Sequence, residues 1–546
     1  MRTIYKSRLL SLVGAAALVA ATITAIPANA AAVGPICDGK VPVQTCTGLT
    51  SDGAPYAMMV PANFNGMVAL YSHGYRYNID IPAGIPIVGG YKITNTPEPI
   101  PGGNPTVANY FLSQGMAVMG SGFARQGWNL DSAIATNVEL IDTFKKKFTT
   151  TTKVVAWGSS LGGIITQTLA EKHPELVSAV APMCMADNIT PELTMAGDFL
   201  WGLKTFFDPT IVGGNYAAGA AGNAQAIGDI VKVLTVMGAI QAGIAKPVAA
   251  DSWPATSSPA GKALGAAGIP ARSAILLVGL MSGVPTQSAH FDATSGPEGA
   301  LKLSFPLAIS PALAILENGA NAAILGILAT QDLELQAGGA VFDNTKTDYA
   351  ARVADSSVIF NAALSGNTAI AGLLGVLAAS PRATGNPAAM AKMGTLAATT
   401  GKINVPTIMM TGVADPITPA GAQQRIVDLY VEQYAAEKEA ARKAAGGNGS
   451  YRAPNKKLLA IWSVTPSSWT KFDAAGSPIT STPAAPGTNH CNFTTANLLT
   501  VAKFMVEAGT SGKLNWDAAA RRSVRASKGL LVDPEFSAPL LKYYGN

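Results

Sequence analysis

Residues 158–162 read Gly158-Ser159-Ser160-Leu161-Gly162, a G-x-S-x-G pattern whose glycines permit a tight turn that pushes the central hydroxyl into the open. In a chain this rich in glycine the bare pattern arises by chance on the order of 0.4 times, so its surroundings must carry it. The apolar run Val154 to Trp157 leads into the motif and a helix-periodic segment leaves it, which is the setting of a serine presented at a strand-to-helix turn. The competing reading is a glycine-rich turn with an ordinary solvated serine. A serine hydroxyl becomes a useful nucleophile only when a general base takes its proton, usually a histidine held by a carboxylate. The chain has four histidines. His173 ends the helix after Ser160, His73 follows an early strand and His290 lies in a long central stretch. That leaves His490, in Gly487-Thr488-Asn489-His490-Cys491, beyond the last predicted strand. The acid is expected after a strand between Ser160 and His490. Asp415, in Val413-Ala414-Asp415-Pro416, is the first choice and Asp187 the rival. Acyl transfer also needs amide donors aimed at a developing oxyanion. Leu161, after the serine, and Tyr75, in Ser72-His73-Gly74-Tyr75-Arg76, are the candidates. Gly74 allows close backbone approach, and His73 shapes the loop.

The elements that must position these residues alternate. Val41 to Val60 predicts a hairpin turning at Thr50 to Gly53, followed by strands at Met67 to Tyr71, Met116 to Gly120, Lys153 to Trp157 and Val177 to Met183. Between them Thr106 to Gln114, Asp131 to Lys147 and Leu161 to Lys172 predict helices. This rhythm predicts an α/β class with a mostly parallel sheet covered on both faces. It stops at residue 186. From 186 to 400 the chain is rich in Ala and Gly, with helical apolar periodicity, and predicts a large, mainly helical cap insertion; its Leu, Ile, Val and Phe residues argue against a disordered low-complexity tract. The rhythm resumes with strands at Thr407 to Thr411 and Leu458 to Val464 around a long helix from Ala420 to about Ala445. The expected division is therefore 1–30 as a signal peptide, 31–185 as the first part of the core, 186–400 as the cap, and 401–546 as the second part of the core with a C-terminal tail.

The signal peptide follows from Met1, Arg2, Lys6 and Arg8, the apolar stretch from Leu9 to about Ile26, and the small-x-small pattern Ala28-Asn29-Ala30. It predicts a secreted protein, extracellular or periplasmic. Later apolar runs such as Ala274 to Met281 and Ala322 to Leu328 are short and interrupted, so no stable membrane anchor is expected. The net charge of +5 in 546 residues is spread along the chain, which leaves no nucleic-acid footprint. Cys37, Cys46, Cys184 and Cys491 suit two disulfides in an oxidising compartment. Proximity pairs Cys37 with Cys46, leaving Cys184 and Cys491 for each other; a buried free thiol at Cys184 is the alternative. No metal-ligand spacing is present, and no cofactor is expected.

His73-Gly74 after an early strand, the turn at Ser160, Asp415 after a late strand and His490 near the end together resemble the α/β-hydrolase superfamily over most of residues 41–508. The run His490-Cys491-Asn492-Phe493 looks like secreted bacterial hydrolases whose catalytic histidine precedes a cysteine. Tannase and feruloyl-esterase-like enzymes also carry that cysteine, bonded to one just before the nucleophile. Here Ser159 stands at that position, so Cys184 would have to be the partner. The resemblance implies a two-step reaction through an acyl-enzyme on Ser160, with His490 as base and Asp415 orienting it. An apolar cap favours small-molecule or polymeric esters with apolar acyl or alcohol parts. Trp201 and Phe206 in the most aromatic segment of the cap, with Trp128 and Arg125, are the candidate substrate-binding residues, with packing in the helix core the competing reading of the aromatic segment. Two other functions stay open: a secreted serine aminopeptidase of the same fold, and a non-catalytic binding protein on this scaffold.

Overall fold

The computed structural model describes residues 32–244, 246–294, 309–396, 399–447 and 451–545. The segment read as a signal peptide, 1–30, lies outside the described residues. Ten strands form one sheet: β1 (Val33–Cys37), β2 (Val43–Leu49), β3 (Pro55–Pro61), β4 (Met67–Ser72), β5 (Ala117–Ser121), β6 (Lys153–Ser159), β7 (Ala179–Met183), β8 (Thr407–Gly412), β9 (Leu458–Ser463) and β10 (Leu530–Leu531). Their spatial order is β1-β2-β3-β5-β4-β6-β7-β8-β9-β10. From β5 to β9 neighbouring strands are parallel, while β1 to β3 join one edge and β10 the other in antiparallel pairs.

The parallel strands are buried on both faces, which is why their sequences are nearly continuous apolar runs. In β4, Val68 and Leu70 face a layer containing Leu140, Phe144, Ile164 and Leu169. Met67, Ala69 and Tyr71 face another containing Val107, Phe111, Val501 and Met505. The helices that supply these layers are α1 (Pro105–Ser113), α2 (Leu130–Lys147) and α3 (Leu161–Lys172), which link successive strands, and a later helix at 495–511. Strand order, parallel core and helices on both faces make this the α/β-hydrolase fold.

Between the adjacent strands β7 and β8 the chain forms α4 (Ile189–Phe206), α5 (Gly219–Gly243), α6 (Pro259–Ala266), α7 (Ala271–Ser282), α8 (Ser310–Ala337), α9 (Tyr349–Ile359), α10 (Asn367–Ala379) and α11 (Pro387–Leu396). Small residues let these helices approach closely. A Cβ at Gly319 would lie 2.4 Å from Phe199 Cζ, and one at Gly326 would lie 2.6 Å from Ala196 Cβ. The remaining helices are α12 (Ala420–Ala444), α13 (Thr495–Ser511) and α14 (Ala518–Ala526).

Two features depart from the sequence expectation, and the expected cysteine pairing is met. Strands β1 and β10 extend the sheet beyond the predicted set; each makes few ladder pairs at an edge and carries little alternation to read. Of the apolar segments judged too short to span a bilayer, Ala274 to Met281 lies in the 12-residue α7, whereas Ala322 to Leu328 belongs to the much longer α8. α5 and α8, with 25 and 28 residues, are long and apolar enough to cross a membrane by length and composition. Gly and polar residues break the apolar run in sequence without breaking the helix, and the most apolar window of α8 is 78% buried within the protein. Both disulfides form, Cys37–Cys46 across the β1–β2 pair and Cys184–Cys491 across 307 residues. No free cysteine is present among the described residues.

Candidate active site

Ser160 occupies the turn from β6 into α3 with φ 59° and ψ −127°, a backbone state that L-residues rarely adopt. The flanking glycines are forced by contact. A Cβ at Gly158 would sit 2.1 Å from the Gly162 carbonyl oxygen, and one at Gly162 would sit 1.9 Å from the Ser72 carbonyl oxygen. The turn is thus locked between its own helix and the end of β4. The Ser160 amide donates to the Met183 carbonyl at 3.0 Å, fixing the turn to β7 as well.

Asp415, after β8, is fully buried. Its Oδ1 accepts from the amides of Ile417 at 2.9 Å and Thr418 at 3.0 Å, and its Oδ2 accepts from the amide of Cys491 at 3.2 Å. The same carboxylate lies 3.0 and 3.1 Å from His490 Nδ1. Because the Cys491 amide and the His490 ring share one carboxylate, the loop after β9 is anchored on both sides of the ring. Cys491 is bonded to Cys184, and the Cys184 carbonyl accepts from Thr418 Oγ1 at 2.8 Å. The rival acid Asp187 is committed elsewhere: its Oδ2 takes Arg425 Nη1 at 2.9 Å and the Tyr544 hydroxyl at 3.1 Å.

Ser160 and His490 line one cleft of about 490 Å³, together with Gly74 and Tyr75. Among the described residues no hydrogen bond joins Ser160 to His490; such contacts commonly tighten only when substrate is bound. A narrower apolar arm of about 60 Å³ runs from Ser160 beneath the helical insertion. Tyr75 and Leu161 border it. Neither of their backbone amides donates to another described residue, so both are free to serve an incoming oxygen. A Cβ at Gly74 would lie 3.1 Å from Ser160 Cβ, which explains glycine there. His73 is buried beside them, with Nδ1 2.7 Å from the Gly74 carbonyl oxygen. Burial, aided by the Arg76 charge, pushes it down to about 4. It is therefore neutral at ordinary pH and fits the loop-shaping role.

The four candidate substrate residues separate. Trp128 borders the apolar arm, its indole N–H held by the Leu396 carbonyl at 2.8 Å. Arg125, Trp201 and Phe206 line neither cavity at Ser160. Arg125 pairs with Asp131 at the start of α2. Trp201 stacks on Tyr349 at 4.9 Å and donates to the Pro381 carbonyl. Phe206 is fully buried in the core of the insertion. Their aromatic clustering reflects helix packing, where the same residue types are favoured for area and stacking.

Sequence reasoning missed two acids, one that braces the Tyr75 loop and one that lines the apolar arm. Asp332, on α8, accepts from the Trp128 amide at 2.7 Å, Asn78 Nδ2 at 2.8 Å and the Tyr75 hydroxyl at 3.4 Å. It ties the insertion to the Tyr75 loop. Glu192, on α4, borders the apolar arm. Both lie within largely apolar helices, and nothing in their spacing marks them.

The cavity can support nucleophilic attack by a base-activated serine, with two backbone donors beside the reacting centre. Asp415, His490 and Cys491 also lie close together, but Cys491 is spent in a disulfide, and one carboxylate and one imidazole remain, too few for a metal site.

No family model and no curated protein matches this sequence. Among solved structures the chain is similar to feruloyl esterase B from Aspergillus oryzae, at 11% identity over 88% of this chain and 86% of that one, with a TM-score of 0.34. It is similar to another esterase from Aspergillus oryzae, at 11% identity over 77% and 72% with a TM-score of 0.30. An esterase from Pyrococcus furiosus matches at 12% identity with a TM-score of 0.21, and the match covers 30% of this chain and 58% of that one.

Proposed function

We propose that this chain is a secreted serine hydrolase that cleaves carboxylic esters with apolar acyl or alcohol parts. The observation that carries the reading is the Asp415–His490 pair, at 3.0 Å, on the same cleft as a serine held at a strained strand-to-helix turn. Ser160 Oγ attacks the ester carbonyl while His490 takes its proton. The oxyanion of the tetrahedral intermediate is met by the amides of Tyr75 and Leu161, and collapse expels the alcohol with the proton from His490. Water, activated by the same imidazole, then releases the acid from Ser160. Asp415 orients the ring and balances the imidazolium.

Residues 186–400 act as the cap over this site, and the apolar arm beneath them supports an apolar acyl or alcohol group in preference to a charged one. Secretion is supported by the two disulfides, which persist in oxidising compartments.

Fluorophosphonate labelling of wild type and Ser160→Ala tests the assignment, paired with p-nitrophenyl esters of increasing acyl length and aminoacyl anilides. The expected outcome is labelling and ester turnover in wild type, lost in Ser160→Ala. Persistent labelling of the variant rejects Ser160. Faster turnover of the anilides establishes the peptidase, and absence of both labelling and turnover favours the binding protein.

A further inference from the structure

Glu192 stands where an apolar side chain would be expected. It lies on α4 with Ile189, Leu193 and Ala196, positions at helical spacing that share one face, and all four border the apolar arm beside Ser160. Glu192 is 8% exposed. Neither of its carboxyl oxygens has a hydrogen-bond partner among the described residues, and Oε1 is fully enclosed. Among the described residues the charges that act on it are the like charges of Asp187 and Asp415. A buried polar group without a partner is destabilising. A leucine at this position would avoid that penalty and pack as its neighbours do. The fold gains nothing evident from the carboxyl, which points to something the arm takes in.

Resting on the ester-hydrolase reading above, we propose that Glu192 is a specificity-determining residue that hydrogen-bonds a hydroxyl carried on the otherwise apolar acyl group of the substrate. The arm is narrow, and the lining neighbours of Glu192 on α4, Ile189, Leu193 and Ala196, are apolar, so on that side Glu192 is the polar partner a hydroxyl meets. Burial, with the two neighbouring carboxylates, holds Glu192 well above the usual carboxylate range, which favours its protonated form. A neutral acid both donates to and accepts from a hydroxyl, and it offers no fixed negative charge to an ammonium group. The aminopeptidase alternative needs that charge. A site built to pair with a hydroxyl also rejects the analogue lacking it, because the buried carboxyl is then left unpaired.

The test uses the whole protein and matched p-nitrophenyl esters whose acyl chains differ only in bearing no substituent, a hydroxyl or an ammonium group, at two chain depths. Wild type is expected to favour the hydroxyacyl ester over the plain one by about tenfold in kcat/KM, on the order of 1.4 kcal/mol. Glu192→Leu should bring that ratio to one or below, and Glu192→Gln, which also donates and accepts, should keep most of it. Preference for the plain or ammonium-bearing ester in wild type overturns the proposal, as does an unchanged ratio in Glu192→Leu. Binding of the same esters to Ser160→Ala protein, followed by calorimetry, separates this from the catalytic assignment. A Glu192-dependent preference for the hydroxyacyl ester there sustains the proposal even if wild type turns over no ester. Equal binding of the hydroxyl-bearing and plain esters to Ser160→Ala and to Ser160→Ala/Glu192→Leu overturns it even if turnover is normal.

Discussion

Ser160 pays for its presentation in backbone conformation. At φ 59° a side chain crowds its own backbone, and the surrounding contacts leave the turn no other course: Gly158 abuts the Gly162 carbonyl, and Gly162 abuts the end of β4. Such strain typically amounts to about 1–3 kcal/mol and is relieved by glycine. Ser160→Gly should therefore melt higher than wild type, by about 1 kcal/mol in stability, while losing activity. Ser160→Ala should lose activity without that gain, since alanine retains Cβ. Thermal or urea unfolding of the two variants side by side measures the difference, and equal stability of both would show that the turn is not strained.

The long loop after β9 reaches His490 only after touching the insertion. His290, between α7 and α8, places Nδ1 2.6 Å from a Glu317 oxygen and Nε2 2.9 Å from the Thr482 carbonyl oxygen. Both partners are acceptors, so only the doubly protonated imidazolium satisfies both. Partial burial alone would lower the affinity of His290 for its proton, but the hydrogen bonds it donates to Glu317 and Thr482 outweigh it and hold it above its ordinary value. The sign follows from linkage: stability from a histidine raised in the folded state is fully present below its unfolded value, near 6.5, and is lost as pH rises through the higher folded value. His290→Gln should accordingly lower the melting temperature more at about pH 5.5 than at about pH 8.5. An equal deficit at both pH values would remove the imidazolium from the account. Nearby, the Ala485 amide donates to the Ala289 carbonyl at 3.0 Å, so the same contact braces the chain five residues before His490.

Across the molecule, the sheet and the helical insertion meet at Asp332. Its carboxylate gathers the Trp128 amide, the Asn78 side chain and the Tyr75 hydroxyl, and Gly127 is glycine where a Cβ would lie 2.4 Å from Asp332 Oδ2. One buried acid on α8 thus sets the loop that carries the Tyr75 amide. Asp332→Ala leaves those donors unpaired. It should destabilise the protein by about 2–4 kcal/mol and lower kcat about tenfold, as expected when a backbone donor drifts from the oxyanion, with a smaller change in KM. Denaturation and steady-state kinetics on one ester check both effects; a loss of stability with unaltered kcat would confine Asp332 to packing.

Much of this was legible because it is local. The strand-turn-helix around Ser160 is written in adjacent residues: β-branched and apolar residues before the turn, glycines within it and an apolar-periodic helix after it. Chain order placed Asp415 and His490 after strands, and the alternation of strands and helices predicted the parallel sheet. The edge strands β1 and β10 were not legible, because a short strand owes its existence to the partner it pairs with. Between the two readings of Trp201 and Phe206 the sequence could not choose, for a related reason: an aromatic residue on a helix has the same sequence signature whether it faces a ligand or another helix.

The sequence by itself determined the strand-helix rhythm, the turn that presents Ser160 and the four cysteines, since each depends on neighbours along the chain. Tertiary structure decided that Asp415 and not Asp187 meets His490, that Cys184 reaches Cys491 across 307 residues, that Glu192 borders the apolar arm and that Asp332 meets the Trp128 amide. Those are choices of partner between distant segments, and a buried acid in a helical stretch carries no mark of its partner until the helices around it are packed.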